Sequence, residues 1–261
     1  MTIPFIKAHG AGNDFLLIRE WPGAEESGYP ALARALCDRR RGLGADGLIV
    51  FTGPARIRLF NSDGSAAELS GNGTRCAAAV LIQEGAAGPV VAIETGAGVK
   101  RLRLVERRGR HYVLEMGMGQ PRYAPEEVDC RLETSLGPRR ATILDVGNPQ
   151  CALAVEDFDF DWRALGREIE GNPRFPCGSN VSFFRVMDRH TVESRFWERG
   201  AGETLSSGTG AAGAAVAAIL SGRAGSPVRV ITAGEDLEIR WEEELMLRGP
   251  AVLVARGDAE R

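Results

Sequence analysis

Short apolar segments separated by glycine turns recur along the whole chain, a pattern typical of β-strands. The predicted strands are FLLI, GLIVF, IRLF, VVAI, RLRLV and YVLEM in the first half, and ALAV, VSFFRV, SRFW, VRVI and LEIRW in the second. Helices are predicted over residues 30–39, 72–84, 161–170 and 208–221. The last helix has alanine and glycine on both faces, so we expect it to lie deep inside a ring of strands. The pattern predicts an α/β fold of the mixed α+β type.

The same order of elements occurs twice, at an offset of 137 residues. The aligned blocks are KAHGAGNDFLLI with LDVGNPQCALAV, RGLGADGLIV with GSNVSFFRVM (the weakest), RLFNSDGSAAELSGNG with RFWERGAGETLSSGTG, and TRCAAAVLI with AAGAAVAAI. After the helix the offset becomes 138, where PVVAIETGAG meets PVRVITAGED. A repeat of this length is too long for a solenoid unit. It predicts two pseudo-symmetric domains of the same fold, 1–140 and 141–261, each a central helix wrapped by strands, with a C-terminal tail that can cross back.

Composition narrows the classes of partner. The 261 residues carry a net charge of −3 with both signs mixed along the chain, which predicts neither a nucleic-acid nor a membrane partner. No apolar run approaches the ~20 residues of a membrane span, and no secretion signal is recognisable at the start. The five cysteines are scattered without a CxxC pair, which argues against a structural zinc site and for a reducing compartment. We therefore expect a cytoplasmic protein without a metal site.

Each central helix opens with a serine and a glycine turn, Ser70-Gly71-Asn72-Gly73 and Ser207-Gly208-Thr209-Gly210. Backbone N–H groups at a helix start attract an anion. Two such turns facing each other across a cleft would hold one carboxylate, with the two serines on opposite faces of the ligand. A serine in this position is also a common N-cap.

Three other kinds of site that contain glycine turns or a serine do not match this sequence well. No G-K-[ST] follows either turn, which excludes a P-loop, and neither turn has the context of a dinucleotide fingerprint. A Ser-His-Asp hydrolase needs a histidine, but His111 and His190 lie in charged segments that predict solvated loops. His9 precedes a glycine turn and is the histidine we expect closest to the site.

Six segments together resemble the diaminopimelate epimerase family: HGAGNDFLLI, RRRGLGADGLIV, NSDGSAAELSGNGTRCAA, VGNPQCALAV, FPCGSNVSFF and ERGAGETLSSGTGAA. The resemblance covers nearly the whole chain. It implies two domains of like fold with the active site in the cleft between them, and an isomerase of lysine biosynthesis. The family needs no pyridoxal phosphate, no other cofactor and no metal, and two cysteines remove and return the α-proton on opposite faces of the substrate. The implied partner is a small-molecule amino acid, and a homodimer is plausible by the same resemblance.

The resemblance also implies the residues of the site. The implied substrate ligands are Asn13, Asn61, Asn148, Asn180, Glu198 and Arg199, and the implied donors to the carboxylate are Gly71, Asn72, Gly208 and Thr209. Without the resemblance, Asn61 and Asn180 would be ordinary turn residues. Glu198 and Arg199 would then be a solvated pair.

The chain departs from the family where protons move. Ser70 and Ser207 stand at the positions of the two cysteines, and Gln150 stands at the position of a histidine thought to assist proton transfer. These three residues and Glu198 are the candidate catalytic positions. A serine hydroxyl is a far weaker acid than a thiol and needs a neighbouring base. We therefore expect the chain as written to be a poor two-base epimerase.

Three functions stay open at this point. The chain is an inactive form of the epimerase, a related isomerase or lyase that uses groups such as Glu198, Glu203 or Asp63, or a non-catalytic amino-acid-binding protein. The two serines themselves have two possible origins, a paired Cys→Ser replacement that traps substrate or natural divergence.

Overall fold

A computed structural model describes residues 2–260 of the chain. The four helices are α1 (Tyr29–Cys37), α2 (Gly71–Gln83), α3 (Trp162–Glu170) and α4 (Gly208–Leu220). All four predicted helices are confirmed, and their ends agree with the prediction to within one or two residues. Short 3-10 helices occupy Glu26–Gly28 and Pro125–Glu127.

Strands form the larger part of the fold. Those before α3 are β1 (Thr2–Gly10), β2 (Asn13–Arg19), β3 (Gly47–Phe51), β4 (Ile57–Asn61), β5 (Ala66–Ala67), β6 (Val90–Thr95), β7 (Gly98–Arg108), β8 (His111–Gly117), β9 (Cys130–Leu132), β10 (Arg139–Asp145) and β11 (Pro149–Ala154). Those after it are β12 (Asn180–Asp188), β13 (Thr191–Glu198), β14 (Gly202–Thr204), β15 (Val228–Ile231), β16 (Leu237–Trp241) and β17 (Leu245–Glu260). The predicted strand segments all fall on these elements, and the mixed α+β fold class is confirmed.

The chain divides into two compact units. Unit 1 contains the described chain up to Met116 and again from Gly249, and unit 2 contains Gly117–Arg248. β17 therefore begins in unit 2, where it pairs with β16, and continues into unit 1, where it pairs with β1. The boundary predicted near residue 140 lies within β10 of unit 2.

Unit 1 surrounds α2 with strands. β1 pairs antiparallel with β2 and with the last part of β17, β2 is parallel to β3, and β3, β4 and β5 continue antiparallel. β6, β7 and β8 form a second antiparallel run. α2 packs on β1, β2 and β6, and its residues from Asn72 to Leu81 are buried. α1 covers β3 and β4.

Unit 2 repeats this plan around α4. β9, β10 and β11 are antiparallel, β11 is parallel to β12, and β12, β13 and β14 continue antiparallel. β13 is also parallel to β15, which pairs with β16. α4 contacts β10, β11, β12, β13, β15 and β16, and every residue from Gly210 to Ala218 is buried. The expectation of a helix within a ring of strands is confirmed.

The small side chains of α4 explain this placement. Alanine and glycine let strands approach on all sides of the helix, and a helix that is apolar all round is stable only when it is buried. Among the described residues, no helix has both the length and the apolar composition to cross a membrane.

Candidate functional site

Ser70 caps α2 in unit 1. Its Oγ accepts a hydrogen bond from the Gly73 N–H at 3.1 Å, and its carbonyl accepts from the Thr74 N–H at 2.8 Å. The backbone at Ser70 is extended, with φ −131° and ψ 120°. The intrahelical bonds of an α-helix leave its first N–H groups unused. The amides of Gly71 and Asn72 belong to this first turn of α2, directly after the cap.

Ser207 caps α4 in unit 2 with the same geometry. Its Oγ accepts from the Gly210 N–H at 3.1 Å, and its φ and ψ are −130° and 121°. Ser207 is buried, whereas Ser70 is half-buried. The N-cap interpretation is confirmed for both serines. Their proton-transfer role stays a prediction.

In unit 1, a chain of hydrogen bonds links Asn13 to the start of α2. Asn72 Nδ2 donates to Asn13 Oδ1 at 3.3 Å, and Asn13 Nδ2 donates to Asp46 Oδ2 at 2.7 Å. The buried Arg75 donates from Nη2 to Asn72 Oδ1 at 2.5 Å and from Nε to the Pro250 carbonyl at 3.1 Å. The structure thus brings together two predicted site residues, Asn13 and Asn72, and fixes both carboxamides.

Two carboxylates and two cations lie beside Asn13. Arg39 Nη2 is 2.7 Å from Asp14 Oδ1 and 2.8 Å from Asp46 Oδ1, and Lys7 Nζ is 3.1 Å from Asp14 Oδ2. Burial alone raises the pKa of Asp14, but hydrogen bonds from Arg39 and Lys7 outweigh it, and the pKa lies below its ordinary value. Asp46 therefore holds the Asn13 side chain, and the lowered pKa of Asp14 makes that carboxylate a poor base for substrate.

Asn61 lies apart from this chain of bonds. It is exposed at the end of β4, and its Nδ2 donates to Ser65 Oγ at 2.9 Å. The neighbouring Asp63 accepts from both Oγ and N of Ser65, and these hydrogen bonds lower the pKa of its carboxyl. A carboxyl with a lowered pKa is a weak base, which disfavours Asp63 as a proton acceptor.

A matching set of polar residues lies at the start of α4 in unit 2. Asn148 Nδ2 donates to Thr209 Oγ1 at 3.3 Å, and Gln150 Nε2 donates to Asn148 Oδ1 at 2.6 Å. Asn180, opposite Gln150 in the β11–β12 pair, donates from Nδ2 to the Pro149 carbonyl at 3.0 Å. Four predicted site residues are thus brought together beside Ser207.

Gln150 lies in the core of unit 2. It is fully buried, it packs against Gly213 of α4, and its Oε1 has no hydrogen-bond partner among the described residues. A carboxamide has no proton that titrates near neutral pH. Gln150 therefore orients Asn148 by donating to it and cannot replace a histidine as a proton carrier.

Glu198 and Arg199 lie at the turn between β13 and β14. Thr204 Oγ1 donates to Glu198 Oε1 at 2.7 Å, and Arg199 Nη1 donates to the Cys177 carbonyl at 2.9 Å. The Arg199 N–H donates to Asn180 Oδ1 at 3.1 Å, which ties this turn to the asparagine on β12. Glu203 is bound by both Nε and Nη2 of Arg163, at 2.6 and 2.7 Å. Both carboxylate oxygens of Glu203 are thus engaged by one guanidinium.

Two of the three histidines lie on the surface, and Cys76 lies in the core. His111 and His190 are exposed, as predicted, and His9 Nδ1 accepts from the Gly12 N–H at 3.4 Å. Cys76 is buried in α2, and burial raises the pKa of its thiol to about 12. Among the described residues, no group of three or more His, Cys, Asp or Glu side chains is arranged to hold a metal ion.

Four residues that shape these sites are not among those predicted from the sequence: Asp46, Arg75, Glu170 and Thr204. Asp46 and Arg75 hold the carboxamides of unit 1, and Thr204 holds the Glu198 carboxylate. Glu170 accepts from the Gly200 N–H and the Trp197 indole. Only Asp46 had a local signal, a carboxylate inside the glycine-rich segment GLGADGL.

Comparison with known proteins agrees with the duplicated plan. The family model for diaminopimelate epimerase matches residues 5–124 and 142–260, one segment for each repeat. The diaminopimelate epimerase of Moorella thermoacetica is 40% identical over 97% of this chain and 98% of its own length. That of Archaeoglobus fulgidus is 39% identical over 94% of this chain and 91% of its own length.

Solved structures with low sequence identity share the fold. A probable proline racemase from Agrobacterium radiobacter has a TM-score of 0.73 at 18% identity and covers 98% of this chain and 92% of its own. A methylitaconate-delta-isomerase has a TM-score of 0.62 at 15% identity, with coverage of 99% and 95%. At these identities the likeness concerns architecture alone.

Proposed function

The chain belongs to the diaminopimelate epimerase family, a family of isomerases, and from this premise we propose that it binds diaminopimelate but is impaired in two-base epimerisation. The proposal assigns the carboxylate contacts to the N-termini of α2 and α4. It assigns the remaining contacts to Asn13, Asn61, Asn148, Asn180, Glu198 and Arg199. Ser70 and Ser207 occupy the two proton-transfer positions, and no step requires pyridoxal phosphate or another cofactor.

The matched pair of helix N-termini is the observation that carries this proposal. Both have the same cap dihedrals and the same Oγ to N distance of 3.1 Å. Both present a polar side chain at the second helical position, Asn72 or Thr209, which is bonded to a further candidate ligand. Amides and hydroxyls arranged in this way stabilise a carboxylate and the negative charge that develops on it when the α-proton leaves.

The serine hydroxyls explain the expected loss of rate. A hydroxyl becomes a useful base only when a neighbour takes its proton. Each Oγ here accepts from a backbone amide, and Gln150 offers an amide where a titrating ring would be needed. Binding depends on donors that are intact, whereas proton transfer depends on groups with the wrong pKa.

Calorimetric titration with meso- and LL-diaminopimelate tests the proposal. We expect the unaltered chain to bind, with α-deuterium uptake from D₂O at background. Asn13→Ala and Asn148→Ala should each weaken binding by about tenfold or more, because each loses a charge-assisted contact. The matched control is Asn172→Ala, since that carboxamide accepts from the Arg174 N–H in the loop after α3.

Two results would overturn the proposal. If the unaltered chain binds neither isomer, the substrate assignment is wrong and another isomerase activity on this fold becomes the better hypothesis. If the asparagine variants bind as the unaltered chain does, the ligands are wrongly assigned.

A further inference from the structure

The turn after β13 is held by three successive backbone N–H groups. The Arg199 N–H donates to Asn180 Oδ1 at 3.1 Å, the Gly200 N–H donates to Glu170 Oε1 at 2.8 Å, and the Ala201 N–H donates to the Glu198 carbonyl at 3.0 Å. One partner is a neutral side chain, one is a carboxylate and one is backbone. Because every donor of the turn is engaged, the directions in which Glu198 and Arg199 leave the backbone are fixed.

Glu170 is the charged member of this set, and it reaches the turn from another element. It is the last residue of α3, and its second oxygen, Oε2, accepts from Trp197 Nε1 at 2.7 Å. One carboxylate thus joins the last residues of β13 to the turn that follows. A carboxylate at a helix C-terminus opposes the helix dipole. The two charge-assisted hydrogen bonds offset that cost.

The corresponding turn of unit 1 is held differently. The Gly64 N–H donates to the Asn61 carbonyl at 2.9 Å, which matches the Ala201 bond at an offset of 137 residues. The Ser62 N–H donates to the Asp46 backbone carbonyl at 3.0 Å, where unit 2 uses the Asn180 side chain. α1 reaches this turn with a cation, since Arg34 Nη1 donates to the Asp63 carbonyl at 3.3 Å. The carboxylate of Glu170 therefore holds only the turn that carries Glu198 and Arg199, and the matching turn of unit 1 has no such carboxylate contact among those described above.

We infer that Glu170 is a positioning residue for ligand binding, which acts by holding the Gly200 amide and so presenting Glu198 and Arg199 to the amino acid. This inference rests on the proposed function for the identity of the ligand. Glu170 itself touches no ligand in this scheme. Its contribution is preorganisation, since a turn already held in place loses less conformational freedom on binding.

The test compares Glu170→Gln with Glu168→Gln. A glutamine at 170 has one acceptor oxygen, so its NH₂ group must face one of the two N–H donors. Glu168 lies on the same helix but accepts from the N–H of Ser135 at 2.7 Å and from its Oγ, away from the turn. Both substitutions remove one negative charge from α3, and only the first disturbs the turn.

Two readouts separate ligand presentation from stability. Titration with meso-diaminopimelate should show about tenfold weaker binding for E170Q and unchanged binding for E168Q. In ¹H–¹⁵N spectra, the Gly200 amide and the Trp197 indole signals should shift in E170Q and stay in place in E168Q. A Trp197→Phe variant removes the indole donor while the Gly200 bond remains, so we expect it to bind within threefold of the unaltered chain, roughly 0.6 kcal/mol.

Three outcomes would overturn the inference, and a fourth would overturn the proposed function. E170Q binding as the unaltered chain does, with shifted Gly200 and Trp197 signals, overturns the inference and leaves the proposed function standing. Equal weakening in E170Q and E168Q also overturns it, because the effect then belongs to the helix. If E170Q does not fold, the W197F variant provides the test. A tenfold loss of affinity in W197F would show that packing of the indole is responsible, and this result would also overturn the inference. An unaltered chain that binds no diaminopimelate sinks the proposed function instead.

Discussion

At Asp14, one carboxylate is shared between two cations. Arg39 and Lys7 hold its pKa below the ordinary value although burial acts in the opposite direction. A carboxyl whose pKa is lower in the folded than in the unfolded chain stabilises the fold above its unfolded pKa. That contribution is lost as the pH falls through the folded pKa. Asp14 therefore contributes fully near neutral pH and progressively less in acid.

We expect the free energy of unfolding to fall as the pH drops below about 4, the ordinary range of an aspartate. Asp14→Asn should lower stability at pH 7 by about 1 to 3 kcal/mol, because Arg39 and Lys7 lose a charged acceptor. It should also flatten the decline between pH 5 and 2, measured by urea unfolding at a series of pH values. Glu242→Gln, at an exposed carboxylate in the turn before β17, is the control. An unchanged slope in D14N contradicts the assignment.

Single residues also show where sequence reasoning reaches its limit. The repeat pointed to matched positions such as Ser70 and Ser207, which the structure shows as equivalent caps. At the same offset, Asp46 aligns with Phe183 and Glu170 with Ala33, so neither carboxylate attracts notice. Both act on partners some 30 residues away in the chain. Contacts of this kind depend on how the elements pack, which local patterns do not encode.

At the scale of elements, the first turns of α2 and α4 differ in how tightly they are enclosed. A Cβ on Gly210 would lie 2.7 Å from Phe196 Cδ1 and 3.0 Å from Ser207 Oγ. A Cβ on Gly73 would lie 3.0 Å from the terminal methyl carbons of Ile49 and Leu59. Methyl ends can shift by a few tenths of an ångström, whereas a ring packed in the core moves less readily.

We therefore expect Gly210→Ala to destabilise the fold and Gly73→Ala to be milder. Alanine favours a helix by about 1 kcal/mol over glycine, which offsets part of the strain at both positions. Overpacking of a core costs about 1 to 3 kcal/mol, so after the gain in helix propensity G210A should lose up to about 2 kcal/mol net and G73A less than about 1 kcal/mol. Urea unfolding of the two variants measures the difference. A G210A protein more stable than the unaltered chain would show that Phe196 moves freely.

Elements with a strong local pattern were the predictable ones. The four helices and the apolar strands were recognised because their periodicity is local. Six strands were not predicted: β1, β5, β9, β10, β14 and β17. β1 and β17 pair with each other from opposite ends of the chain, and β17 contains Pro250. Their strand character depends on a partner that is remote in sequence, which no window along the chain reveals.

The alignment of RGLGADGLIV with GSNVSFFRVM was wrong in register. Phe15 pairs with Gly47, and Ala152, which matches Phe15 at an offset of 137, pairs with Ser182. Measured by pairing with β2 and β11, the offset between β3 and β12 is therefore 135 residues. On the opposite edge of each strand, Ile49 pairs with Leu59 of β4 and Ser182 pairs with Phe196 of β13. Leu59 and Phe196 match at an offset of 137, so this pairing gives an offset of 133 between β3 and β12. The strand between two neighbours that match at an offset of 137 is thus shifted in register, which a search without gaps cannot detect.

At the scale of the whole molecule, each unit supplies one serine that caps its central helix, and the proposed chemistry needs both serine positions. Inversion at a carbon requires one group that takes a proton and another that returns one. Thiols at the two caps would have pKa values lowered from ~8.5 by the helix N-termini. Cys76 is no substitute, because burial raises its thiol pKa to about 12.

We expect Ser70→Cys together with Ser207→Cys to interconvert LL- and meso-diaminopimelate, while each single variant gives at most deuterium exchange without inversion. Chiral chromatography measures inversion, and mass spectrometry after incubation in D₂O measures exchange. Cys76→Ser in the double variant is the control, and it should leave the gained activity in place because that thiol is buried in the core of unit 1. If the double variant binds substrate but stays inert, Gln150→His is added, since the buried carboxamide cannot carry a proton. Rapid inversion by the unaltered chain would contradict the whole assignment, because the hydroxyls of Ser70 and Ser207 would then be sufficient bases.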